Sequence, residues 1–103
     1  MPTPKQIKDD LWSDARQTVS RYNFTFSQNC ERPFRDFIGD GVNEIVAKGY
    51  INDKYWVDFA KANLNAFTIR MVIEARANNL FSLDLSTFLS VRELICPLWP
   101  FCT

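Results

Sequence analysis

The sequence predicts an all-α fold: a small bundle of about four helices in a single domain, ending in a tail rich in cysteine, proline and aromatic residues. Three observations predict it. Hydrophobic residues make up 47% and aromatic residues 15% of the 103 positions, enough for a real core and too many for a disordered chain. Apolar residues recur every three or four positions in four separate stretches, the period of an amphipathic helix. Short runs containing Asn, Asp, Ser or Gly separate these stretches, and no internal repeat or low-complexity segment interrupts them.

The first helix opens at Thr3, an N-cap residue, with Pro4 at the first helical position, where its missing N–H costs nothing. Ile7, Leu11, Ala15, Val19 and Tyr22 then mark one face. Asp9, Asp10 and Asp14 precede Arg16 and Arg21, the order that complements a helix dipole. The segment from Asn23 to Cys30 reads as a connector, because Asn, Ser and Thr side chains compete for backbone hydrogen bonds; Phe24 and Phe26 should dip from it into the core.

A second helix is expected from Pro33, with Phe34, Phe37, Ile38, Val42, Ile45 and Val46 as its stripe and Gly49 as a left-handed cap. Gly39 and Gly41 inside it read as a kink or a close helix crossing, since neither the Walker spacing nor the dinucleotide fingerprint is present. Asn52 or Asp53 should cap the third, central helix, where Trp56, Phe59, Ala60, Phe67 and Met71 follow one face and Leu64, Ile69, Val72 and Ile73 widen it. It should end near Asn78 and Asn79, residues that tolerate left-handed backbone. "SLDLSTFLSVRELI" supplies a fourth, shorter helix, capped by Asp84 or Ser86 and broken before Pro97. The predicted core is Leu11, Val19, Phe37, Ile38, Val42, Ile45, Trp56, Phe59, Phe67 and Met71. One domain spans residues 1–103, a helical body over 1–95 and the tail over 96–103, with the helices packed orthogonally or up and down.

Composition excludes much chemistry. Twelve basic residues balance twelve acidic ones, so no general field gathers phosphates, and nucleic acid is not an expected partner. The absence of histidine removes the commonest general base and zinc ligand. Three cysteines fall short of the four N or S donors of a structural zinc site, and no catalytic residue, metal or cofactor is expected. Asp53 and Asp58 near Lys54 and Lys61, and Arg70 four residues before Glu74, have the spacing of solvated ion pairs. Cys30 reads as a small buried hydrophobe. No stretch reaches the ~20 apolar residues of a membrane span. The polar start "MPTPKQIKDDLWSDARQ" lacks a secretory core, which favours the cytoplasm unless the chain is a mature form.

The tail "ICPLWPFCT" is the distinctive segment. Cys96 and Cys102 enclose Pro97-Leu98-Trp99-Pro100-Phe101, and two prolines can turn so short a loop back for a disulfide. "CPLWPFC" is similar to the cystine ring of the contryphan peptides of cone-snail venom, at Cys96, Pro97, Pro100, Phe101 and Cys102. The likeness covers seven residues and implies a compact, preorganised aromatic knob. Three readings follow. In the first, the protein is a non-catalytic interaction module, of adaptor, inhibitor or immunity type, whose partner is another protein and whose contacts include Leu98, Trp99 and Phe101. In the second, it is a ribosomally made peptide precursor with a helical leader and a C-terminal core, Cys96 to Thr103, that is modified or released. In the third, the tail folds back and Trp99 plugs the bundle.

Overall fold

The computed structural model describes residues 3–50 and 54–95, with side chains through residue 93. Four helices account for most of them: α1 (Pro4–Arg21), α2 (Gln28–Ala47), α3 (Lys54–Ala77) and α4 (Leu85–Ile95). α1 packs on α2 and α3, and α4 packs on α3 and α2, whereas α2 and α3 meet least although they are consecutive. The all-helical fold is as the periodicity predicts; among the described residues the sole β-type pairing is an isolated parallel bridge between Phe26 and Leu83. A radius of gyration of 13.3 Å is that of a compact chain of about this length.

Local chemistry sets most helix ends. Thr3 accepts a hydrogen bond from the Gln6 N–H while the Gln6 side chain accepts from the Thr3 N–H, a complete capping box ahead of Pro4. Asp84 caps α4: its Oδ1 accepts from both the backbone N–H and the hydroxyl of Thr87, each at 2.8 Å. Of the two caps expected there, Asp84 therefore holds the end and Ser86 lies inside the helix. The expected caps of α3, Asn52 and Asp53, lie outside the described residues.

Three helices end in the same way. Asn23 (φ 62°), Gly49 (φ 75°) and Asn79 (φ 56°) adopt left-handed backbone after α1, α2 and α3. The next residue in each case, Phe24, Tyr50 or Leu80, donates its N–H to the carbonyl five residues back, at 3.1, 2.9 and 2.9 Å. This closure satisfies carbonyls that a helix end leaves open, and it turns an apolar side chain back onto the bundle. Phe24 is buried and Phe26 half-buried, as expected of the connector.

α2 begins at Gln28 rather than at Pro33, with Ser27 as its N-cap residue and Pro33 inside the helix. Packing explains the correction. Cys30 is fully buried one turn before Phe34 and extends the apolar stripe backward, while the hydrogen bond that Pro33 cannot donate is lost near the exposed first turns. The helix also continues through Gly39 and Gly41. A Cβ at Gly39 would meet only the Lys8 Cε, at 4.0 Å, so no close crossing demands that glycine.

The core gathers Phe34, Phe37, Phe67 and Phe88 from α2, α3 and α4, with centroids 5.1 to 6.3 Å apart in every pair. Trp12 and Phe26 extend it toward α1, each against Phe34, at 6.0 and 4.8 Å. Of the predicted core, Leu11, Val19, Phe37, Ile38, Val42, Ile45, Phe67 and Met71 are buried. Trp56 and Phe59 are not: both are half-buried, and Ile73, expected to widen the core face, points outward. At 3.6 residues per turn the inward face of α3 falls on Ala60, Leu64, Phe67, Met71 and Ala75, which places Trp56 on its flank and Phe59 beyond it on the outer side. Thr68 is fully buried on that inward face, and its hydroxyl donates to the Leu64 carbonyl at 2.7 Å, so its polarity is satisfied.

Candidate interaction surface

The tail residues singled out from the sequence, Cys96, Leu98, Trp99, Phe101 and Cys102, all lie outside the described residues. Among the described residues, the charged pairs expected within α3 are not what organises its charges. Lys61 bonds across to α1 instead, its Nζ 3.0 Å from the Asp14 carboxylate. That hydrogen bond, and then the carboxylate's charge, hold the Lys61 ammonium above its ordinary pKa. Both side chains are well exposed, so the pair is an ordinary surface bridge. Glu74 accepts from the Asn78 amide at 3.5 Å. Beside the bridge, the Thr18 hydroxyl shares its single proton between the Asp14 carbonyl at 2.9 Å and Asn65 Oδ1 at 2.8 Å, tying α1 to α3.

A groove of about 820 Å³ runs between α1 and α2. Lys5, Lys8, Arg32 and Arg35 line it together with Asp9, Glu31, Asp36 and Asp40, so positive and negative charges alternate and no single-sign field develops. Among the described residues, no group of three or more Cys, Asp or Glu is placed to hold a metal ion. No helix of the described chain is long and apolar enough to cross a membrane.

Cys30 is fully buried, as read from the sequence, and its thiol is free. Burial pushes the thiol up to about 12, with the nearby Asp84 carboxylate adding to the rise. A group whose folded pKa is raised contributes stability below its unfolded value and loses that contribution as pH climbs. Unfolding free energy should therefore fall from about pH 9 upward, and Cys30→Ala should flatten that part of a pH series of urea melts. Peptide mapping after brief iodoacetamide treatment at neutral pH should find Cys30 unmodified in the native protein and modified in urea.

What α3 leaves outside is more distinctive. Tyr55 (65% exposed), Phe59, Ala62, Ala66, Ile69 and Ile73 (53% exposed) succeed one another along the side away from Leu64, Phe67 and Met71. Tyr55 and Phe59 stack one turn apart with centroids at 6.1 Å. At the start of the helix, Trp56 stacks on Tyr50 at 4.5 Å and meets Tyr55 and Phe59 edge-on, which makes an aromatic corner. Phe81, in the turn before α4, is 95% exposed, and Leu89 on α4 is also exposed. No family model, curated protein or solved structure matches the chain. The surface must be read from its own chemistry. Sequence reasoning passed over Tyr55, Ala62 and Ala66 because the strongest apolar period of α3 belongs to its inward face. The second period, at 55, 59, 62, 66, 69 and 73, was the available signal.

Proposed function

We propose that the protein is a non-catalytic helical module for contact with other proteins. The observation that carries this reading is the set of apolar side chains left outside the core: Tyr55, Ile73, Phe81 and Leu89 are exposed, and Tyr55 joins the half-buried Tyr50, Trp56 and Phe59 in the aromatic corner. Isolated exposed apolar residues are ordinary, whereas aromatic clusters at a surface concentrate binding energy. The tail belongs to the same reading by its sequence: prolines flank Trp99, and Cys96 and Cys102 have the spacing for a bridge under oxidising conditions, a composition that suits Trp99 and Phe101 as a second contact with little entropy to lose on binding.

Cross-linking of the full chain in its natural host, followed by capture with the purified protein, supplies the partner for the test. Trp99→Ala should leave the melting temperature nearly unchanged and weaken capture by ~2 kcal/mol or more, the scale of an interface hot spot. A fall of several degrees with capture intact would show a plug and not a contact. The composition of Cys96 to Thr103 favours one competing reading, the peptide precursor. Mass spectrometry of the host protein separates the two, since cleavage or a large mass change within the tail would replace the module by a precursor.

A further inference from the structure

The outward stripe of α3 has a symmetry of its own. Its residues, Tyr55, Phe59, Ala62, Ala66, Ile69 and Ile73, are spaced four, three, four, three and four apart. That is the seam by which two helices pack side by side, and the protein's own core uses the opposite face of α3. The spacing is the same read in either direction. Reversed about Leu64, Tyr55 takes the place of Ile73, Phe59 that of Ile69, and Ala62 that of Ala66. In an antiparallel isologous contact residue i of one copy meets j of the other while j meets i, and this spacing sets every stripe residue level with another.

We propose that this stripe pairs with the same stripe of a second copy, α3 running antiparallel to α3; the inference rests on the interaction-module reading and names one of its partners. In that register the two alanines make a small central layer that lets the helix axes approach, and at each end an aromatic ring faces an isoleucine. The seam runs ~27 Å, eighteen residues at the helical rise. Trp56 and Arg70 share one flank of the stripe, and the two-fold sets that flank against itself, which brings Arg70 of one copy level with Trp56 of the other to within ~3 Å along the axis, where a cation–π contact forms. Equal numbers of acidic and basic residues leave no net charge to hold two copies apart. Such a short seam lies at the small end of specific interfaces, below ~1,200 Å² in total, so the dimer forms in a concentration-dependent equilibrium.

Sedimentation equilibrium of the full chain, from about 1 µM to 1 mM, tests it. The protein should pass from monomer to dimer. Ala62→Glu, at an exposed position, should weaken the pairing roughly a hundredfold by placing an unpaired charge at the centre of the seam, with the circular dichroism spectrum unchanged. Ile73→Lys, at the far end, should act in the same direction. Adding Ala66→Lys to Ala62→Glu should restore dimers, since each new carboxylate then faces the partner's new ammonium; a parallel pairing would set like charges together and gain nothing. A parent that stays monomeric, a dimer indifferent to Ala62→Glu, or a double variant that fails to recover would each overturn the proposal. A monomeric parent whose melting temperature drops with Ala62→Glu would assign the face to the chain's own tail and overturn it equally. Capture of a host protein by a strictly monomeric chain would sink the second copy alone and leave the interaction module standing.

Discussion

Phe34→Ala should destabilise the protein by ~3 to 5 kcal/mol, a large share of the ~5 to 10 expected for a chain of this size. Phe34 has no exposed surface and stands at the meeting point of all four helices and the connector. Five rings surround it, those of Trp12, Phe26, Phe37, Phe67 and Phe88, with centroids from 4.8 to 6.3 Å. Loss of the ring removes its apolar transfer energy and leaves a cavity whose lining comes from separate helices, each already fixed by its other contacts. Phe67, which touches Phe34, Phe37 and Phe88, should lose a comparable amount as alanine. Urea melts followed by circular dichroism measure both changes. A Phe34→Ala protein that melts within ~1 kcal/mol of the parent would mean that the cluster does not hold the fold.

Leu83→Ala should cost ~2 to 5 kcal/mol, although it lies in a loop. Its side chain is fully buried, and its backbone joins the two connectors. The Leu83 N–H donates to the Thr25 carbonyl and the Leu83 carbonyl accepts from the Ser27 N–H, both at 2.8 Å. The substitution leaves the backbone bonds chemically possible and removes only the packing that holds the two loops together, so the thermal loss reports on that packing. Leu83→Met, which nearly conserves volume, should cost less than ~1.5 kcal/mol. Equal melting of Leu83→Ala and the parent would show that the bridge is held by its hydrogen bonds alone.

Helix ends were legible where a single residue carries its own reason. Thr3 with Pro4, Gly49, Asn79 and Asp84 each satisfy open backbone groups through local geometry, and each stands where its type suggested. The start of α2 was not legible in this way. Pro33 marks a helix beginning by local rules, yet the turns before it persist because Cys30 is buried beneath them, and that burial depends on neighbours distant in the chain. Asn23 is a similar case. Its type suits a loop, and only the return of Phe24 onto the bundle shows that it closes α1 with left-handed backbone.

The candidate surface divides along the same line. Tail residues Leu98, Trp99 and Phe101 were conspicuous by composition, while the stripe from Tyr55 to Ile73 was hidden by a helix that is apolar on two sides. Trp56 and Phe59 show why. At ~100° per residue Trp56 falls at the edge of the face centred on Leu64 and Phe59 falls well outside it, so two aromatic residues that suggest a core by type are left out of the one that α1 and α4 close around.

Period, caps and left-handed turns act over one to five residues, so the four helices, most of their ends and the aromatic filling of the interior are written locally in the chain. Which face of α3 lies inside was settled by packing between helices distant in the chain. Two apolar periods run along that helix, and among the described residues α1, α2 and α4 pack on the one centred on Leu64. The other stays at the surface because burying it requires a further element to pack against it, and α1, α2 and α4 are already packed on the inward side.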